Sequence, residues 1–221
     1  MTEIPVITRQ VPARPATESR FRALLGEIAW QRLPQAVRRR FARAPGTIVT
    51  YAGEITECHR TRFGKMLARL CGAIGAPLPL HDDVAVPAIV TVTEDAVTGG
   101  QVWSRLYARR GGFPQVIQSS KTFTGPTGLE EYLGHGFGIA LTVSADTRGL
   151  HFHSDHYFVA AAGLRVRLPE WFGPGALTIS HIDLGDGWFA FVLVLRHAWF
   201  GEIVSQSGLF RERYDIEETS R

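Results

Sequence analysis

The most constraining stretch of this chain runs from residue 99 to residue 143. There TGGQVWSRLYARRGGFPQVIQSSKTF passes into TGPTGLEEYLGHGFGIALTVS. Apolar and polar residues alternate with a period of two between glycine-rich turns, the pattern of an antiparallel meander in which each strand commits one face to the interior. On the first strand Trp103, Arg105 and Tyr107 share a face, and Val102, Ser104 and Leu106 share the other. A guanidinium between two aromatic rings needs a countercharge, because a buried pair that loses one partner costs roughly 3–5 kcal/mol. Glu130 and Glu131, one hairpin further on, are the carboxylates in reach of such an arginine. Ser119 and Ser120 fall on opposite faces of the strand between them, so one of the two faces Arg105.

The rest of the chain frames this meander. Residues 1–18 contain three prolines and no helical period, and are expected to form an arm. From Ser19, the residues Phe21, Leu24, Leu25 and Ile28 mark a helical stripe, and Pro34 opens a second helix that buries Val37 and Phe41. Thr47–Glu57 reads as a strand in which Gly53 marks a bulge or a close approach. A helix follows from Thr61 to Ile74, ended by Gly75-Ala76-Pro77, and PLPLHDDVAVP is a loop. Ala88–Thr93 reads as a strand. After the meander, LHFHSDHYFVAAAG is extended, and LRVRLPEWFGPG is broken by its prolines and glycines. Leu177–Leu184, Gly-Asp-Gly and WFAFVLVLR form a hairpin whose second strand is apolar on both faces and is expected to lie under a covering layer. A last strand runs from Gly201 to Arg213.

These elements alternate neither as βαβ units nor as repeats. The fold class is α+β: a strongly curved, mostly antiparallel sheet or an open β-barrel of about 8–10 strands, with about three helices packed on it. One domain is expected over residues 19–215, with a tail over 216–221.

Composition excludes several classes. With 45% hydrophobic and 20% charged residues, the chain has the make-up of a packed domain. No apolar run reaches the ~18–20 residues of a membrane span, and the N-terminus lacks a hydrophobic signal core, so a cytoplasmic location is expected. The net charge of +3 is unevenly distributed: residues 1–45 hold nine Arg and three Glu. Arg38, Arg39 and Arg40 are consecutive and read as a solvated helix face, and no nucleic-acid partner is expected. Cys58 and Cys71 form neither a C-x-x-C pair nor a disulfide framework.

Chemistry-bearing patterns are few. His151, His153 and Asp155 share a strand face, the geometry of a metal-binding H-x-H with a nearby carboxylate, but no spacing selects a further ligand from His81, Asp82, His181 or His197. An outward strand face explains the pattern equally well, and no metal or cofactor is expected. Ser154-Asp155-His156 alternate faces and cannot converge as a triad. Nucleophile-elbow, zinc-helix and phosphate-loop motifs are absent from the sequence. Gly134-His135-Gly136-Phe137-Gly138 precedes a strand and reads as a tight corner. Arg105 with Glu130 or Glu131 stays open as an acid–base device, an anion clamp or a structural ion pair.

The order Leu24-Leu25-Gly26, Leu33-Pro34, Trp103-Ser-Arg105, the serine pair after Phe113, Glu131-x-x-Gly134, Leu168-Pro169 and Gly201-Glu202 resembles the bacterial family catalogued as domain of unknown function 4166. The likeness covers roughly residues 20–213. It carries no established activity. It implies only that such domains stand alone or follow a saccharopine-dehydrogenase-like NAD(P)-binding domain. The histidine-rich segment 151–156 departs from that family's pattern.

The expected function is therefore non-catalytic binding of an apolar or amphipathic small molecule between the curved sheet and the N-terminal helices. Arg105 would meet its acidic end, Glu131 would hold Arg105, Ser119 would share the pocket, and Trp103, Tyr107 and Phe137 would form walls. Two alternatives remain: an enzyme using Glu131 and Arg105 on a carbonyl or acyl substrate, and a partner module of a separate NAD(P)-dependent, saccharopine-dehydrogenase-like reductase.

Overall fold

The computed structural model describes residues 17–44, 46–75, 77–95 and 99–213. The arm expected over 1–18 falls, up to residue 16, outside the described residues, as does the tail expected over 216–221. Three short helices come first: α1 (Thr17–Leu25), α2 (Glu27–Arg32) and α3 (Gln35–Phe41). The stripe Phe21, Leu24, Leu25, Ile28 does not run along one helix. Gly26, at φ 76°, separates α1 from α2, so Ile28 faces solvent and Trp30 takes the buried place. Pro34 stands directly before α3, where its missing N–H costs no helical bond.

Eleven strands follow, all paired antiparallel. They are β1 (Ile48–Arg60), β2 (Val86–Glu94), β3 (Gln101–Tyr107), β4 (Gln115–Thr122), β5 (Glu130–Gly134), β6 (Phe137–Ala145), β7 (Gly149–Ala161), β8 (Leu164–Arg167), β9 (Ala176–Gly185), β10 (Trp188–His197) and β11 (Gly201–Arg213). A fourth helix, α4 (Arg62–Cys71), lies between β1 and β2 and tightens into a 3₁₀ turn over Gly72–Ile74. The strand order β6-β5-β4-β3-β2-β1-β11-β10-β9-β7, joined by a β6–β7 pairing, closes ten strands into a barrel. The eleventh, β8, pairs only with the far half of β7. The curved antiparallel sheet with helices packed on it thus closes completely, which leaves the barrel itself without an unpaired edge.

Local sequence supports the closure. Burial alternates strictly along β3, so Gln101, Trp103, Arg105 and Tyr107 face inward. β10 obeys the same rule: Phe189, Phe191, Leu193 and Leu195 are buried, whereas Ala190, Val192 and Val194 are half-exposed on the outside. Among the described residues no layer covers that outer face, contrary to expectation. The apolar character on both sides reflects β-branched and small residues that suit a barrel's outer surface. Gly53 is the close approach expected: a Cβ there would stand 1.8 Å from the Leu209 carbonyl oxygen of β11. The bulge lies two residues on, between Ile55 and Glu57.

One end of the barrel is plugged by α1–α3. Phe21 meets Phe41, Phe123 and Phe152 edge-on at centroid distances of 5.2, 5.0 and 6.1 Å, and Trp30, Leu33 and Val37 complete the plug. Each fully buried phenylalanine contributes about 1.5–3 kcal/mol relative to exposure. α4 sits at the opposite end, started by Thr61, whose hydroxyl accepts from the Gly64 N–H. A Cβ at Gly64 would stand 2.1 Å from the Ile203 carbonyl oxygen, so the glycine lets α4 lie directly on β11.

Candidate functional site

Between the plug and the α4 end, the barrel encloses a cavity of about 570 Å³. That volume falls in the range of small-molecule sites. Leu133, Ile139, Tyr157, Leu177, Leu193 and Leu195 are among the apolar wall residues. No residue of α1–α3 lines it, so the cavity does not lie against the N-terminal helices as expected but within the barrel, opening toward α4.

Polar groups gather in the part of the cavity formed by β3, β4 and β5. The Arg105 Nη1 group donates to Ser119 Oγ at 3.2 Å, and the Ser119 hydroxyl donates to Glu131 Oε1 at 2.6 Å. Arg105 Nη2 stands 3.6 Å from the same carboxylate oxygen, and Lys121 Nζ stands 3.0 Å from the other. The register brings them together. Trp103 is opposite Ser119, Arg105 opposite Ile117, and Lys121 opposite Glu131. All four side chains are buried. Burial alone would raise the Glu131 pKa, but the Lys121 and Arg105 charges and the Ser119 hydrogen bond outweigh it and hold the carboxyl at about 2. Burial pushes Lys121 in the unfavourable direction, down from the ordinary lysine value, and Glu131 offsets part of that. Two cations therefore share one carboxylate.

Beneath this cluster the barrel interior is aromatic. The Trp103 ring has Lys121 Nζ 4.8 Å and the Arg105 guanidinium carbon 5.5 Å from its centroid. His181 is enclosed by Phe41, Trp103, Phe152, Phe189 and Phe191, with centroid distances of 5.2–6.0 Å. Burial, reinforced by Arg40, Lys121 and Arg105, holds its pKa well below the usual histidine value, so it is neutral. Arg40 is not on a solvated helix face. It is buried, with its guanidinium carbon 3.7 Å from the Phe189 ring centroid. Its position three residues after Val37 and next to Phe41 places it on the inward stripe of α3.

Of the residues singled out from sequence, Arg105, Tyr107, Ser119, Glu131 and Phe137 line the cavity. Trp103 does not. It borders a much smaller void below the cluster with Arg40, Tyr51 and His181, and supports the two cations instead of forming a wall. Glu131, not Glu130, faces Arg105. Glu130 accepts from Tyr132 and pairs with Arg165 of β8 at 2.6 Å. Sequence reasoning passed over Lys121, although it follows Ser119 by two residues and so shares its face. It also passed over Gln206, Tyr157 and the mouth residues Phe63, Trp199 and Phe200, which reach the cavity from elements far apart in the chain.

The histidine segment does not converge. His151 Nδ1 is 2.8 Å from Ser180 Oγ, and His153 Nε2 is 2.8 Å from Ser144 Oγ. A bulge in β7 at Asp155 breaks the alternation, and Asp155 contacts its neighbour His156. Among the described residues no group of three His, Cys, Asp or Glu side chains is placed to hold a metal ion. The Gly134–Gly136 corner is the β5–β6 turn, with positive φ at all three residues.

No curated protein and no solved structure matches the chain. The family model described as "Domain of unknown function (DUF4166)" matches residues 33–210, from the end of α2 into β11. That stretch takes in the ten-strand barrel and every residue of the Arg105–Ser119–Lys121–Glu131 cluster, and the chain belongs to this family.

Proposed function

We propose that the barrel binds an amphipathic small molecule through an acidic group, without converting it. The observation that carries this reading is the pairing of two buried cations, Arg105 and Lys121, with a single carboxylate in an otherwise apolar cavity. A ligand carboxylate or phosphate would supply the missing charge, with Arg105 as its first contact and the wall residues around its tail. Tyr107 and Phe137 stand among those walls, and Ser119 orients Arg105 from the side. An acid–base role for Glu131 is less well supported. A carboxyl held at about 2 is fully ionised and a poor base near neutrality.

The test combines mass spectrometry of the native protein before and after organic extraction with titration of a fluorescent long-chain carboxylate and its uncharged alcohol. In Arg105→Leu the carboxylate should bind about 10- to 100-fold more weakly, the worth of one charge-assisted hydrogen bond. The alcohol should be little affected. Thermal stability should change little, because Lys121 and Ser119 still serve Glu131. Equal loss for both probes, or a collapse in stability with carboxylate binding retained, would show Arg105 to be structural.

A further inference from the structure

Six phenylalanine and tryptophan residues among those described are exposed, and five of them lie at the cavity end of the barrel. Phe113 (90% exposed) lies in the turn between β3, which ends at Tyr107 in the cavity wall, and β4. Trp171 (73%) and Phe172 stand on the β8–β9 connection, and Trp199 (75%) and Phe200 on the β10–β11 turn. Met66 and Leu70 of α4 are exposed at the same end. Only Trp188 lies at the other end. Trp171, Phe172, Trp199, Phe200 and Leu70 also line the cavity, so the exposed apolar rim is continuous with the interior wall. Such a patch around an opening marks a surface that meets an apolar phase.

The charges at this end indicate which phase. Lys65 pairs with Asp82, Arg167 with Glu170 and Arg196 with Glu202. Arg62 and Arg69, both exposed on α4, have no acid within ion-pair distance among the described residues. Asp83, on the loop after α4, is an acid left over against them. Aromatic side chains on separate loops, with unpaired arginines beside them, match the boundary of an anionic bilayer, where rings sit at headgroup depth and guanidinium groups meet lipid phosphates. No helix among the described residues is long and apolar enough to span a membrane.

We propose that the mouth of the barrel docks on anionic membrane surfaces and that its ligand passes directly between bilayer and cavity. This rests on the binding reading above and names the bilayer as the source of the ligand. Flotation with mixed phosphatidylcholine–phosphatidylglycerol vesicles should carry the full chain upward, and pure phosphatidylcholine vesicles should carry less. Tryptophan emission should shift to the blue and be quenched by bromine-labelled acyl chains. Trp171→Phe/Trp199→Phe should lose that signal while still floating, since Trp30 and Trp103 are buried.

Arg62→Glu/Arg69→Glu and Phe113→Ser touch no cavity wall. Each should weaken flotation, the arginine pair by about tenfold or more. Both should leave binding of the soluble carboxylate probe unchanged. Wild-type protein that binds the probe but does not float overturns the docking proposal alone. Flotation without probe binding leaves docking standing and removes the ligand reading. Flotation indifferent to lipid charge and to these variants also overturns the proposal, as does burial of Phe113 and Trp199 in a dimer of this chain or in a complex with another protein.

Discussion

Replacing Glu131 with glutamine preserves the shape of the buried cluster and deletes its only negative charge. Arg105 and Lys121 are then left in a low-dielectric interior, 7% and 3% exposed, without countercharge. The wild-type carboxyl is held at about 2 against 4.5 in its ordinary state, a difference of roughly 3 kcal/mol of folding stability at neutral pH. That agrees with the roughly 3–5 kcal/mol cost of removing one member of a buried pair. Lys121 can relieve part of the loss by releasing its proton, so the lower figure is the better guide. For a domain of this size about 3 kcal/mol lowers the melting temperature by roughly 6–12 °C.

The pH dependence carries a sign. The folded-state pKa of Glu131 is depressed, so its contribution is complete above pH 4.5 and disappears as pH falls toward about 2. The gap between wild type and Glu131→Gln should therefore be widest near neutrality and shrink steadily below pH 4.5. Thermal unfolding followed by circular dichroism from pH 7 to pH 3 measures both quantities. Adding Lys121→Met to Glu131→Gln should recover part of the loss, because one orphaned cation is gone. A melting temperature within about 2 °C of wild type at pH 7, or a gap that does not change on acidification, would refute the reasoning.

Two further outcomes follow from the interior. His181 is neutral in the fold and has its ordinary value of 6.5 when exposed, so stability it contributes is present above pH 6.5 and lost as pH falls below it. His181→Leu, which also removes a buried Nδ1 atom lacking a hydrogen bond, should flatten the stability profile between pH 6.5 and 5 in urea titrations; an unchanged slope would contradict this. Gly53→Ala should cost about 3 kcal/mol or more, because the new methyl group meets the Leu209 backbone at 1.8 Å and pries β1 from β11. Amide exchange of β1 would rise in that variant, and a wild-type exchange pattern would count against it.

Much of the cluster was legible because a period of two is a local property. Trp103, Arg105 and Tyr107 declare a common face, and the same rule carried from Ser119 to Lys121 would have completed the set. Arg40 was legible too, through its spacing from Val37. It was misread because three adjacent arginines suggest a solvated run. Closure of the barrel was not legible, since the β1–β11 and β6–β7 pairings depend on accumulated twist and on bulges such as that at Asp155. The mouth escaped notice for a related reason. Phe113, Trp171 and Trp199 belong to three separate turns, and a lone aromatic in a turn reads as core until the turns are seen to surround one opening.

The seam between β1 and β11 has a consequence for how the chain is made. Glu57 and Ser207 meet across it although 150 positions separate them. On a ribosome β1 emerges early and pairs with β2, but its other flank has no strand to accept until β11 has been made. Until then the nascent sheet carries a free edge, the feature most prone to pairing with a neighbouring chain. Completion of the barrel waits for β11 and is slow because so distant a contact must form, which gives holding chaperones their window before that seam zips shut.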